Sequence, residues 1–93
     1  MLYLVAYDLL RDETEDHYER VIDALKCNGT AIEIQRSVWF LASRSEAVDI
    51  RHSIRLELDE GDKLFVTELT SSNCGFVNLQ QRAREWMSQA GLL

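Results

Sequence analysis

Two short stretches of this chain are apolar on both alternating faces, and they limit its architecture more than any other feature. Residues 2–9 (LYLVAYDL) place Tyr3, Val5, Tyr7 and Leu9 on one parity and Leu2, Leu4 and Ala6 on the other, while residues 38–42 (VWFLA) are apolar throughout. Side chains of a strand point alternately to opposite faces, so a strand with no wet face has to be covered on both sides and lie inside a sheet. Residues 30–36 differ, with Ile32 and Ile34 set against Ala31, Glu33 and Gln35. One dry and one wet face suit an edge strand.

Helical spacing fills the gaps. From about residue 15 to 28 the apolar residues are Tyr18, Val21, Ile22 and Leu25, which share one face of a helix that Asn28-Gly29 ends. A second helix turns Ala47, Ile50, Ile54 and Leu58 inward, with Ser43 or Ser45 as cap and Ser43 with Glu46 as a capping box. DEGD (59–62) is a turn, and KLFVTEL (63–69) is a fourth strand. Strand, helix, strand, strand, helix, strand predicts an α+β, ferredoxin-like βαββαβ sandwich with an antiparallel sheet. Right-handed crossovers put strands one and three at its centre. These are the two strands that lack a wet face.

Two helices cover one side of such a sheet, and the other side is apolar as well. Residues 1–70 make the ferredoxin-like domain and 71–93 a C-terminal extension, packing on the same domain or across a dimer. In the extension SSNCGF is loop or a short fifth strand, and Asn78 with Gln81 begins a helix striped by Leu79, Ala83, Trp86, Met87 and Ala90. A chain of 93 residues is one domain. Small domains bury a limited share of their surface, so a homodimer is expected.

Charge narrows the partners. The net charge is −6, and the ten basic residues, scattered along the chain, are eight Arg and two Lys. Nucleic-acid binding draws its affinity from neutralised phosphates, so this balance disfavours a nucleic-acid partner. No apolar run approaches the ~20 residues of a membrane span and no export signal stands at the start, which reads as a cytoplasmic chain without a membrane partner. Cys27 and Cys74 read as free thiols, and no Cys/His spacing suggests zinc.

Asp8 is the residue that most suggests chemistry. An acid at the C-terminal end of a central strand can bind a metal at the sheet end; it can equally end the strand and cap the following turn. Two-fold symmetry would bring two copies together, and paired carboxylates bind Mg²⁺ or Mn²⁺ through oxygen. Arg11, three residues on, is a candidate phosphate contact. Asp12, Glu13, Glu15, Asp16 and Glu19 suit a helix N-terminus electrostatically, with metal capture as the lesser reading. His17 and His52 read as surface helix residues, and Cys27 as buried filler. Arg51 and Arg55 read as ion-pair partners. Ser37 has no base beside it, and no Gly-rich phosphate loop occurs.

The succession LYLVAYDL, HYERVIDALKCNG, QRSVWFLAS, EAVDIRHSI and LDEGDKLFVTEL, over roughly residues 2–70, resembles the small CRISPR-associated adaptation protein, the dimeric partner of the spacer integrase. It is most similar to that superfamily's stand-alone, SinR-like branch, with virulence-associated protein D as a distant relative. The resemblance implies a ferredoxin-like homodimer packed sheet against sheet. It implies that Asp8 is a metal ligand paired across the dimer axis, in a protein that is either a metal-dependent ribonuclease or deoxyribonuclease or a non-catalytic adaptor. The expected function is therefore a metal-dependent phosphodiesterase acting on RNA or DNA; the alternative is a non-catalytic dimeric interaction module. The acidic balance and the C-terminal helix depart from the family's pattern.

Overall fold

The two strands without a wet face lie side by side in the middle of the sheet. In the computed structural model, which describes residues 1–10, 15–70 and 73–92, the elements run β1 (Leu2–Asp8), α1 (Glu15–Lys26), β2 (Thr30–Gln35), β3 (Val38–Ala42), α2 (Ala47–Arg55), β4 (Lys63–Leu69) and α3 (Gln81–Gln89). The sheet has four strands in the order β2-β3-β1-β4, and each neighbouring pair is antiparallel. This is the ferredoxin-like arrangement expected from the element order, with a C-terminal helix added.

Register assigns each residue to a face. Val5 lies opposite Trp39 on β3 and Val66 on β4, and Ala6 lies opposite Val38 and Phe65. The odd residues of β1 therefore point to the side on which Tyr3, Val5, Tyr7, Trp39 and Leu41 pack with Val21 and Leu25 of α1 and Ile50 and Ile54 of α2. Trp39 Nε1 donates to the Tyr7 hydroxyl over 3.3 Å inside this core. The Tyr3 hydroxyl donates to the Ser45 carbonyl over 2.6 Å. Both aromatic polar groups are thus satisfied where they are buried.

The even residues face the other way, where α3 lies. Ile32, Phe40, Ala83, Met87 and Leu92 form a second core, with Leu2, Leu4, Leu69 and Trp86 against it. The Phe40 and Trp86 rings stack at 6.2 Å between centroids. α3 covers the part of this face built from β2, β3 and the start of β1; farther along, Phe65 remains 60% exposed.

Local details depart from the expected ones in instructive ways. The capping box does not form: Glu46 is the N-cap of α2 without a side-chain hydrogen bond. Ser43 instead is buried, and its Oγ accepts from the Ser45 N–H. α3 starts at Gln81 after Gln80, not at Asn78, whose φ of 61° is left-handed and cannot begin a right-handed helix. Among the described residues of 73–80 there is no fifth strand. Asn28 ends α1 as expected, its Nδ2 donating to Ala24 O and to Ser53 Oγ of α2. Gly29 is needed for close approach, since a Cβ there would lie 1.9 Å from the Ala42 carbonyl oxygen. No helix among the described residues is long and apolar enough to cross a membrane.

Candidate functional site

Asp8 closes β1 on the face that α3 covers only in part. By alternation it follows Leu2, Leu4 and Ala6, and its side chain is exposed where the sheet ends. Directly across on β4 stands Lys63, one of only two lysines in the chain; such cross-strand neighbours have Cβ atoms about 4.5–5.5 Å apart. Ala6, Tyr7, Asp8, Lys63, Leu64 and Phe65 line a shallow cleft of about 220 Å³. The site is thus one carboxylate and one ammonium beside an apolar strip of Ala6 and Phe65.

Tyr7 borders this cleft but offers no base to it. Its hydroxyl lies on the helix side, hydrogen-bonded to Trp39. Burial pushes the phenol above its ordinary pKa, only partly offset by the Trp39 hydrogen bond. It is therefore neutral at neutral pH.

Among the described residues of one chain Asp8 is the one carboxylate that lines this cleft, and a divalent ion needs more oxygen ligands than that. Among the described residues, the group of His, Cys, Asp or Glu side chains with ligand atoms close enough to hold a metal lies elsewhere, at His17, Asp59 and Asp62. Within a single chain Asp8 has a lysine opposite it, which fits an ion pair or an anion better than a cation. Two copies meeting at this strip would supply a pair of carboxylates, a donor set that does suit Mg²⁺ or Mn²⁺. Arg11, the expected phosphate contact, lies outside the described residues, as do Asp12 and Glu13. Glu15, Asp16 and Glu19 are exposed on α1.

His17 is where the sequence reading fails. It is buried rather than on the surface, because it precedes Val21 and Leu25 by one and two steps of four along α1 and shares their inward stripe. That spacing was the available signal. Asp59 and Asp62, which meet it, are more than 40 residues away in the chain and gave no local hint. Cys27 is also reversed: both it and Cys74 are exposed, and both are free thiols. His52 is exposed on α2 as expected, and so are Arg51 and Arg55.

No family model matches the chain. Its structure is similar to the crystal structure of Streptococcus pyogenes Cas2 at pH 6.5, with a TM-score of 0.52 and 29% sequence identity over 75% of this chain and 87% of that one. The fold is accordingly Cas2-like, and the protein is CRISPR-associated-like in that sense.

Proposed function

We propose that the protein acts as a homodimer whose two Asp8 carboxylates form a metal-dependent phosphodiesterase site for RNA or DNA. The observation that carries this reading is the position of Asp8: exposed, at the end of a central strand, beside an apolar strip that α3 leaves open. A two-fold pairing through that strip uses the same patch on both copies, so whatever lies beside it meets its own symmetry mate. The domain of residues 1–70 supplies the sheet, and the 71–93 extension shields the rest of its second face.

In this reading each Asp8 holds the ion through carboxylate oxygen. Mg²⁺ or Mn²⁺, when bound, activates water and stabilises charge on the scissile phosphate. Lys63 lies next to each carboxylate and would take a non-bridging phosphate oxygen, the role the sequence suggested for Arg11. Tyr7 stays neutral and supports the strand end from below.

A second reading, a non-catalytic dimeric interaction module, draws on two observations. Lys63 across from Asp8 already supplies the cation that a lone carboxylate needs, and a net charge of −6 repels a phosphate backbone. Cleavage of labelled single- and double-stranded RNA and DNA with Mg²⁺ or Mn²⁺ separates the two. Under the first reading the wild type cuts and Asp8→Asn does not, although it melts within about 0.5 kcal/mol of the wild type because the residue is exposed. Lys63→Met cuts more weakly, through a higher KM. Absence of cutting in the wild type leaves the interaction module, and equal cutting by Asp8→Asn puts the activity at another site or in a contaminant.

A further inference from the structure

The outer edge of β2 carries backbone groups and a groove for which neither the Asp8 reading nor the two cores have a use. Among the described residues β2 pairs on one side only, with β3. Alternation tells which of its backbone groups point outward. Met1 and Ser43 exchange both backbone bonds, and the Tyr7 N–H donates to the Ser37 carbonyl, so β1 and β3 bond through their odd residues. The even residues of β3 therefore turn their backbone groups toward β2. Phe40 faces Ile32 and Ala42 faces Thr30. This leaves the N–H and C=O of Ala31 and Glu33 directed away from the sheet.

We propose that this edge pairs antiparallel with β2 of a second copy, across a two-fold axis at Ile32 perpendicular to the sheet. In that register Ala31 of each copy lies opposite Glu33 of the other, and both outward residues find backbone partners. Centring on Glu33 instead would set two carboxylates face to face, which is destabilising. The pairing is short. It ends on one side at the Asn28-Gly29 turn and on the other at the register shift between Glu33 and Gln35, a bulge of the kind that blunts sheet edges. Thr30–Glu33 is the part of the edge left regular enough to take another strand.

The flank of the edge is what selects a second copy as the occupant. Arg82, Glu85, Trp86 and Gln89 of α3 border a groove of about 330 Å³ together with Thr30–Ile32. Steps of three, one and three put these four residues on one helix face, so α3 runs beside the β2 edge. A two-fold axis perpendicular to the sheet keeps both α3 helices on the same side and sets them antiparallel. Reversal turns each Arg82 toward the other copy's Glu85, with Ala31 and Trp86 as the apolar contacts. Arg82 and Glu85 are exposed, and Gln81 Nε2 donates to Glu85 Oε1 over 2.9 Å, which steadies that carboxylate. Copies of a chain with net charge −6 repel one another in general, but this stripe carries one charge of each sign and is complementary to itself. The surface lies at the opposite sheet edge from the strip beside Asp8. Where both contacts form, the β2 edges join dimers into open rows.

The test is sedimentation equilibrium of the full chain, with Phe65→Ser as the background so that the strip beside Asp8 does not contribute. So small an interface is weak, and it is read at about 0.5 mM, above the tens of micromolar at which larger contacts form. The expected result is a mass that rises with concentration and levels near twice 10.8 kDa. Ala31→Pro removes an outward N–H and spares the β2–β3 ladder, so it should melt as the background does and stay at the single mass. Arg82→Glu and Glu85→Arg should each weaken the pairing by roughly fivefold to tenfold, because two such ion pairs are lost per interface. An equimolar mixture of the two should pair as the background does, since each altered stripe then meets its opposite. No role of these side chains within one chain produces that recovery. A mass that does not rise by about 0.5 mM, or one indifferent to Ala31→Pro, overturns the proposal. A mixture that pairs no better than its two components overturns it as well. The nuclease reading stands or falls separately, on cutting by the wild type.

Discussion

The two faces of this sheet are covered in different ways. On one, α1 and α2 lie across the sheet, and Val5, Val21, Leu25, Leu41, Ile50 and Ile54 have no exposed surface. On the other, the single short helix α3 closes over Ile32, Phe40 and Leu4 and leaves Phe65, Ala6 and Asp8 at its edge. The first face is built from both halves of the βαββαβ unit, so its core forms whenever the fold does. The second depends on a tail that follows the completed unit. The first face is therefore the more completely buried, while the second has room for a partner at the strand end.

Removing residues 79–93 tests this asymmetry most severely. Met87 and Leu92 are 2% and 4% exposed, and each contributes roughly 1.5–3 kcal/mol by burial, with the Phe40–Trp86 stack adding about 0.5–1.5. That sum is comparable with the whole stability of a small domain. The truncated chain should unfold, or survive only by pairing its bared face with a second copy. Circular dichroism and light scattering distinguish those outcomes, and a folded monomer with unchanged Tm would show that α3 contributes little.

Single truncations compare the faces more finely. Ile54→Ala, at a site with 0% exposure, should cost about 3–4 kcal/mol, because two helices and the sheet surround the cavity and cannot close it. Met87→Ala should cost about 2 kcal/mol, at the low end for its type, since α3 is anchored on one side only and can settle toward the sheet. Urea denaturation of both variants gives the ranking. Equal losses would mean that the second core is as rigid as the first.

The first face was legible in the sequence, and the second only in outline. Strand positions and order followed from the apolar parity of residues 2–9 and 38–42, and β3 and β4 begin and end where the pattern placed them. Those signals are local and repeat every second residue. The need for a cover on the second face was also legible, from Leu2, Leu4 and the stripe Ala83, Trp86 and Met87. Its details were not. Whether Ser43 caps α2 or turns into the core depends on the Met1 and Gly29 neighbourhood, brought near by folding: the Met1 amine donates to the Ser43 carbonyl over 2.8 Å. Asp8 was picked out by its position at the strand end and by the resemblance. His17 was missed because its companions come from a turn on the far side of α2, a juxtaposition that only the crossover creates.

The smallest expected change in stability belongs to Phe65, and it bears most directly on the proposed pairing. Phe65 is 60% exposed and lies opposite Ala6, two residues before Asp8 on β1. Phe65→Ser should alter the stability of the single chain by no more than about 0.5 kcal/mol, since little apolar contact is lost within it. If the open strip is where two copies meet, the same change removes a central aromatic anchor of an interface, a residue type that commonly dominates binding energy. The wild type at tens of micromolar should then sediment near twice 10.8 kDa, and Phe65→Ser near the single mass. Leu56→Ser is the matched comparison: at 73% exposed it is at least as open, but it caps α2 on the opposite side of the sheet and should leave the mass unchanged. If both variants dissociate alike, the contact lies elsewhere, and a wild type that is already monomeric deprives Asp8 of the second carboxylate its metal requires.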